Sequence, residues 1–298
     1  MTGFSASDAA LEGFRISRER PRVLLGWTLF TLFASVVGAA ITITMPKEAR
    51  AALDALANEQ APDLEALLEM LTAVSPILIV GLLVQRMMDA AVYRVILRGG
   101  EGKFAYLRLG ADELRLAALR LIFLVLAVLL IAVVQFCIAI LAVVASPLGQ
   151  GPMLLVAFVA EVFSWGVILM IAVRMSLASV ITFETGKLSI LESWELTRGQ
   201  FWPLLSSYAL AGCCILATGI AVMVLFVSIA GVALIATGGS MADLSAIMAP
   251  KEISLQTYLN PYVVAYTLIG CVFTAIYSAV IAAPGAFVYL ALKGRQAP

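Results

Sequence analysis

Residues 116–145 read LAALRLIFLVLAVLLIAVVQFCIAILAVVA, and Arg120 is the only charged side chain in this stretch. About 20 apolar residues in a helix, each rising about 1.5 Å, cross the roughly 30 Å of hydrocarbon in a bilayer. This stretch is longer than that, so it predicts a membrane-spanning helix that tilts or extends into the headgroup layer.

Five further apolar segments predict five more membrane-spanning helices, at residues 23–44, 75–97, 152–181, 203–237 and 261–292. The chain is 62% hydrophobic and 13% charged, with a mean hydropathy of +1.04, which excludes an ordinary soluble domain. Its formal net charge is zero and it has no basic patch interleaved with aromatic residues, which argues against a nucleic-acid partner. The predicted fold class is therefore all-α: a single polytopic membrane domain over residues 1–298 with six transmembrane helices.

The basic residues are distributed unevenly across this predicted topology. Threading the six segments in order leaves Lys47, Arg50 and Lys251 on one side, and the other 16 of the 19 Lys and Arg on the opposite side or within helices. The larger group comprises Arg15, Arg18, Arg20, Arg22, Arg86, Arg94, Arg98, Lys103, Arg108, Arg115, Arg120, Arg174, Lys187, Arg198, Lys293 and Arg295. The positive-inside rule then predicts that both termini are cytoplasmic.

The composition also indicates the host membrane. Arg outnumbers Lys by 14 to 5 and Ala is abundant, which favours a GC-rich bacterial genome and hence a bacterial inner membrane. The Arg-rich start and the small residues Gly38-Ala39-Ala40 resemble a signal peptide with its cleavage site. Cleavage would leave five helices, so we expect the first segment to be retained.

A pattern of cap residue followed by proline recurs at the three even-numbered segments, which open Ser75-Pro76, Gly151-Pro152 and Asn260-Pro261. Ser, Gly and Asn are N-cap residues, and Pro suits the first helical position because the N–H that it lacks would be unpaired there. The pattern predicts a two-helix unit used three times. Its boundaries would be 1–101, 102–185 and 186–298.

Similar short stretches precede each predicted unit. Residues 11–18 (LEGFRISR) match residues 191–198 (LESWELTR), and residues 102–107 (GKFAYL) match residues 186–191 (GKLSIL). Each stretch is predicted to form an amphipathic helix that lies in the headgroup plane. In the third, Ser189 and Glu192 predict a capping box. Trp194, Arg198 and Trp202 form its predicted interfacial motif.

The predicted external connections differ in length. Residues 45–74 are acidic, and Leu64, Leu67, Leu68 and Leu71 recur at helical spacing, which predicts an external helical hairpin with a break from Asn58 to Pro62. The hairpin is either a lid over helix ends or a docking surface for a partner. Ser146–Gly151 predicts a tight turn, and Pro250–Leu259 predicts a short helix.

The layout over nearly the whole chain, together with Ser193-Trp194-Glu195-Leu196-Thr197-Arg198-Gly199 and Trp202, resembles uncharacterised bacterial six-helix inner-membrane proteins. It is also similar to the membrane portion joined to some glycerophosphodiester phosphodiesterases. The catalytic barrel of those enzymes has no counterpart in this sequence. The resemblance therefore implies an architecture and no enzymatic activity.

Ionisable residues inside hydrocarbon are costly and mark candidate functional sites. The second segment contains Gln85, Arg86 and Asp89. Arg86 lies about 15 Å along the helix from Pro76 at a rise of about 1.5 Å per residue. Arg86 and Asp89 are spaced three residues apart and can face each other on one side of a helix.

The fourth segment contains Glu161 at a similar predicted depth, with Trp165 on the same face, and Gln135 of the third segment is placed to join them. Two interpretations follow. Arg86 bridges Asp89 and Glu161 to fix how two helices pack, or the group lines a polar cavity that binds a lipid headgroup or another anion, or relays protons.

The sequence lacks the residues that several kinds of catalytic and metal-binding chemistry require. The chain has no His, which removes His-based acid–base catalysis and His-ligated metals, and its four Cys lie in apolar segments. No phosphate-binding loop, dinucleotide fingerprint or nucleophile elbow is present. We therefore expect no cofactor, no metal and no enzymatic activity. The predicted role is binding or transport of a lipid or small amphiphile, with membrane lipids as partners; the alternative is a scaffold or assembly factor that contacts a membrane-protein partner.

Overall fold

The computed structural model describes residues 4–46, 64–99, 102–248 and 254–294, and every regular element in these ranges is helical. The helices, numbered in chain order, are α1 Ala6–Glu19, α2 Pro21–Thr44, α3 Leu64–Tyr93, α4 Ala111–Ala145, α5 Gln150–Met175, α6 Ala178–Thr185, α7 Leu191–Leu196, α8 Phe201–Ala236, α9 Met241–Met248, α10 Leu255–Leu259 and α11 Pro261–Leu292. A π-helical turn, Arg94–Arg98, extends α3.

Six of these elements are long and apolar enough to cross a membrane, which confirms the six predicted segments. They are Pro21–Thr44, Met70–Arg98, Phe104–Leu148, Gln150–Thr185, Phe201–Ala236 and Pro261–Leu292. The fourth breaks at Ser176–Leu177 into α5 and α6. The long helices alternate in direction. One end of the bundle, which we call the core end, contains the first residues of α2, α4 and α8. It also contains the last residues of α3, α5 and α11.

The protein core lies at the core end. Trp27, Met88 and Phe183 are fully buried there against the second half of α11. That half of α11 is rich in small residues, with Ala275, Ala279, Ala282, Ala283 and Ala286 all buried. Small side chains let neighbouring helices approach closely, which is how helices associate when lipid supplies no hydrophobic driving force.

Helix α1 is amphipathic as predicted, and it packs in the groove between α8 and α11. Its position in the headgroup plane stays a prediction. The crossing is close because Gly13 lies directly against the backbone of α11 at Val280, where a Cβ would collide. Glu12 is buried on the same side and accepts a hydrogen bond from Arg15 at 2.7 Å. This hydrogen bond raises the pKa of the Arg15 guanidinium above its ordinary value.

The stretch before α4 does not form the predicted amphipathic helix. Phe104, Ala105 and Tyr106 form a tight turn with positive φ angles of 50°, 55° and 65°. Such angles strain residues that carry a Cβ. Two buried donors hold the turn: the Trp27 indole N–H donates to the Ala105 carbonyl at 2.9 Å, and Arg94 donates to the Tyr106 carbonyl at 2.8 Å.

The stretch before α8 contains only the six-residue helix α7. The predicted capping box is wrong, because the N-cap of α7 is Ile190 and the Ser189 N–H donates to the Thr182 hydroxyl. Instead, the Ser193 and Thr197 hydroxyls both donate to the Arg174 carbonyl, at 2.7 and 3.2 Å. They satisfy a carbonyl that the end of α5 leaves without an intrahelical partner.

The three predicted cap–proline starts have three different outcomes. Asn260-Pro261 is confirmed, since the Asn260 side chain accepts from the N–H of Tyr262. Gly151-Pro152 is displaced, because α5 begins at Gln150. Ser75-Pro76 is wrong as a start, because α3 runs through it. The Ser75 hydroxyl donates to the Thr72 carbonyl at 2.7 Å, the acceptor that the missing N–H of Pro76 leaves open.

The predicted external connections are only partly described. Residues 47–63, including the predicted break from Asn58 to Pro62, lie outside the described residues, while residues 64–74 belong to α3. The tight turn near residues 146–151 is confirmed, with Gly149 at a φ of 99°.

Helix α10 falls within the short helix predicted at residues 250–259, and α9 was not predicted. Ser240 caps α9 and lowers the pKa of Asp243 through hydrogen bonds to its carboxylate.

Helices α4 and α5 form a hairpin whose apolar part extends away from the core. Neither helix buries any of its most apolar window within the protein, whereas 28% of the window in α11 is buried. Beyond about residue 121 the two helices pack mainly on each other, with weaker contacts from α5 to α8. Large aliphatic and aromatic side chains therefore cover the outside of this hairpin.

Candidate polar site between the helices

A polar cavity of about 340 Å³ opens between α3, α4, α8 and α11 at the core end. It is lined by Gln85, Arg86, Asp89, Tyr93, Arg120, Ser176, Tyr208, Tyr277, Ile281, Ala282 and Gly285. Four helices and the break between α5 and α6 contribute to this lining. Three residues singled out in the sequence, Gln85, Arg86 and Asp89, are thus brought together.

Arg86 and Asp89 form an ion pair at one wall of the cavity. Arg86 Nη1 lies 2.8 Å from Asp89 Oδ2, and the two side chains are only 13% and 8% exposed. The Gln85 amide donates to the other Asp89 oxygen at 3.1 Å. Among the described residues, the buried Nε of Arg86 has no hydrogen-bond partner. Asp89 is therefore occupied by protein donors, while Arg86 keeps a donor for a guest molecule.

Arg120, which is exposed at the edge of the cavity lining, adds a second positive charge from α4. In the described part of the chain it takes part in no hydrogen bond or salt bridge, and it lines the same cavity. The cavity therefore holds two guanidinium groups against one carboxylate. This surplus of one positive charge favours an anionic guest, because guanidinium groups form charge-assisted hydrogen bonds with carboxylates and phosphates.

Hydroxyl groups and a glycine complete the cavity. Tyr93, Tyr208, Tyr277 and Ser176 line it, and the Tyr208 hydroxyl lies 3.1 Å from the point where a Cβ on Gly285 would stand. Helix α11 is continuous through Pro284 and Gly285, and Gly285 leaves room for the tyrosine. The sequence reasoning missed Arg120 and these hydroxyls. Arg120 gave a signal as the lone charge of the first quoted stretch, whereas the tyrosines and Ser176 gave none.

Glu161 does not join Arg86, so the predicted bridge between them is wrong. Glu161 accepts hydrogen bonds from the Gln135 amide at 3.2 Å and from the Trp165 indole at 2.9 Å. All three lie on the exposed α4–α5 hairpin, and none of them lines the cavity. Equal depth along two helices does not fix which way their side chains face, and this hairpin diverges from the core.

The predicted interfacial motif has a local structural explanation. Trp194 lies against the Arg174 guanidinium, with the cation 5.4 Å from the ring centroid. Trp202 is 74% exposed and packs edge-to-face on Phe201, and Arg198 is exposed. Together with the hydroxyl contacts to the end of α5, the motif joins α7 to α5 and leaves two aromatic rings at the protein surface.

A larger cavity of about 400 Å³ lies elsewhere, between α6, α7 and the end of α11. Its charged lining residues are Glu192, Glu195 and Lys293, and both glutamates are exposed. The smaller cavity differs in containing an ion pair, Arg86 with Asp89, whose side chains are only 13% and 8% exposed. We therefore regard the cavity around Arg86 as the better candidate site.

In the described residues, no group of three or more acidic or Cys side chains is arranged to hold a metal ion. No protein family, no curated protein and no solved structure matches this chain. The resemblance to the membrane portions of glycerophosphodiester phosphodiesterases stays an expectation from the sequence layout and the motif around Trp194.

Proposed function

We propose that this protein resides in a bacterial inner membrane, with both termini cytoplasmic, and binds or moves a lipid or small amphiphile. The anionic group of the ligand would occupy the cavity around Arg86, between Arg86 and Arg120, while its apolar part lies among the helices. The observation that carries this proposal is a cavity at the level of the apolar helices with two guanidinium groups and one carboxylate. The uneven distribution of Lys and Arg supports the orientation.

The proposal involves no chemical step. Asp89 is occupied by Arg86 and Gln85, and Glu161 lies on the hairpin with Gln135 and Trp165. The groups around the cavity are those that hold and orient an anion: guanidinium N–H donors, hydroxyls and an amide. We accordingly place the protein among non-enzymatic binding or transport proteins.

Arg120→Gln is the sharpest test, because Arg120 has no hydrogen bond or salt bridge among the described residues and its loss leaves no buried carboxylate unpaired. Native mass spectrometry of the protein extracted with its lipids should find one amphiphile in fixed stoichiometry with the original chain. Arg120→Gln should retain at least tenfold less of it, which corresponds to about 1.4 kcal/mol of binding free energy.

Glu161→Gln is the matched control, since it changes one charge on the α4–α5 hairpin, away from the cavity lining. It should retain the amphiphile fully. A second variant, Arg86→Gln with Asp89→Asn, removes both partners of the ion pair together and should also release the amphiphile. Equal retention by the original chain, Arg120→Gln and this double variant would overturn the proposal.

The alternative function is that of a scaffold or assembly factor, and the exposed α4–α5 hairpin supports it. Glu161, Gln135 and Trp165 form a polar group on a surface that no other part of the described chain covers. A photo-crosslinking residue at Phe158, which is exposed on the same hairpin, should then capture one specific membrane protein. Glu161→Leu should abolish that capture. Capture of many proteins, unchanged by Glu161→Leu, would contradict the scaffold role.

A further inference from the structure

A second group of arginines lies at the core end, around Asp112 on the first turn of α4. Asp112 Oδ2 lies 3.2 Å from Arg108 and 3.8 Å from Arg98, and Asp112 Oδ1 lies 3.2 Å from Arg115. The buried Arg94 also lies 3.9 Å from Asp112 Oδ2, so one carboxylate gathers four guanidinium groups, three of them at the surface. We call Asp112 and these three surface arginines the Asp112 cluster.

Among the described residues, the arginines at this cluster outnumber the carboxylates that pair with them. Beneath it, Arg94 pairs with the fully buried Glu113, so these two charges cancel. The three guanidinium groups of the cluster are each about half exposed, and in the described part of the chain Asp112 is the one carboxylate with which they pair. A surplus of two positive charges thus remains at the surface, held close together by their shared acceptor. The first turn of the 35-residue helix α4 adds the positive end of its dipole.

Exposed apolar side chains lie in the loop between the arginines of this cluster. Phe104, the first residue of the strained turn, is 89% exposed, and Leu109, which follows the turn, is 61% exposed. The hydrogen bonds from Trp27 and Arg94 to carbonyls of the turn fix its backbone, so that Phe104 cannot withdraw without breaking them. A protein holds residues in strained conformations where the surrounding structure or a function requires them.

We infer that the Asp112 cluster, with Phe104 and Leu109, is a binding site for the phosphate group of an anionic membrane lipid. Guanidinium groups match phosphate oxygens in geometry and charge. The apolar side chains favour a phosphate that belongs to a lipid over free phosphate, because only the lipid brings glycerol and acyl groups to cover them. This site is separate from the cavity around Arg86 and does not depend on the function proposed for it.

The test uses the full chain reconstituted in phosphatidylcholine bilayers that contain a minority of phosphatidylglycerol. After release into the gas phase, native mass spectrometry counts the phosphatidylglycerol molecules retained per chain. We expect enrichment over the bulk ratio with the original chain, and its loss, by tenfold or more, in a triple variant in which Arg98, Arg108 and Arg115 are each changed to Gln. Undiminished enrichment in this variant would overturn the site.

The matched control removes the same charge from arginines that are exposed elsewhere, by changing Arg18, Arg22 and Arg198 each to Gln. Enrichment should persist in this control. An equal loss of phosphatidylglycerol enrichment in both triple variants would overturn the inference, because overall surface charge would then explain the enrichment.

The source of the phosphate is tested by adding excess inorganic phosphate during extraction. Retention of phosphatidylglycerol under these conditions supports the lipid assignment, and complete displacement overturns it.

If the triple variant fails to fold, Phe104→Ser with Leu109→Ser leaves every ion pair in place. Lipid enrichment should fall in this double variant, and unchanged enrichment would contradict a lipid site. Arg120→Gln should leave the enrichment of phosphatidylglycerol unchanged, which separates the Asp112 cluster from the cavity around Arg86.

Discussion

The core end of the bundle and the α4–α5 hairpin are both built from apolar helices and yet pack in opposite ways. At the core end, the second half of α11 presents buried alanines to α1, α2, α3 and α8. On the hairpin, residues 121–144 are mostly Leu, Ile and Val, and their side chains are exposed. Small residues let helices meet, whereas large aliphatic residues on a helix exterior suit contact with lipid tails.

Polar groups follow the same division. At the core end, Glu113 is fully buried and paired with Arg94, and Trp27 donates to a backbone carbonyl. On the hairpin, the polar group around Glu161 is satisfied by neighbours within the hairpin itself. The difference teaches that hydropathy locates a helix in the membrane, while the distribution of small and polar residues decides which helices form the protein core.

The largest effect should come from unpairing the buried ions. Glu113→Ala leaves the guanidinium of Arg94 buried without its main partner, and should lower the free energy of unfolding by about 3–5 kcal/mol. Chemical denaturation in detergent measures it. The double variant Arg94→Met with Glu113→Leu removes both charges and should recover most of the loss. A double variant as unstable as Glu113→Ala would show that the charges themselves are required.

The next effect should come from the crossing of α1 and α11. Gly13→Val places side-chain atoms against the backbone at Val280, which cannot move without displacing α11. We expect a loss of about 3 kcal/mol, at the upper end of overpacking effects. Gly38→Val is the control, since nothing lies within 4 Å of the Cβ position at Gly38. Equal thermal stability of the two variants would disprove the close crossing.

A smaller effect should follow from Trp27→Phe, which keeps a six-membered aromatic ring and removes the N–H together with the five-membered ring of the indole. The Ala105 carbonyl then loses its donor, and the strained turn at residues 104–106 loses one of its two restraints. We expect a loss of about 1–2 kcal/mol and faster hydrogen exchange in the turn. Trp202→Phe changes an exposed ring in the same manner and should have no measurable effect on either quantity.

The sequence was sufficient to predict the six spans, because length and hydropathy alone define them. It also predicted the start at Asn260-Pro261, where a side-chain cap and a proline act together. The start at Ser75-Pro76 failed for a physical reason. A serine hydroxyl can replace the hydrogen bond that a proline removes, so the same two residues fit a helix interior.

The candidate site could be predicted only where its residues share one helix. Gln85, Arg86 and Asp89 are close in sequence, and helical spacing places them together. Arg120, Tyr208 and Tyr277 come from three other helices, and no local pattern gives the rotation of those helices about their axes. The predicted contact from Arg86 to Glu161 failed for the same reason, since a position along each helix does not give the direction in which its side chain faces.

The smallest effect on stability should be found on the α4–α5 hairpin. It tests most directly the difference in packing between the hairpin and the core end. Glu161→Gln keeps the size of the side chain and both of its contacts within the hairpin, so the free energy of unfolding in detergent should change by less than about 0.5 kcal/mol. A loss as large as that of Glu113→Ala would place Glu161 in a packed core and end the distinction between the two regions. A small effect on stability, together with a change in the proteins that crosslink at Phe158, would assign the hairpin to contacts outside the chain.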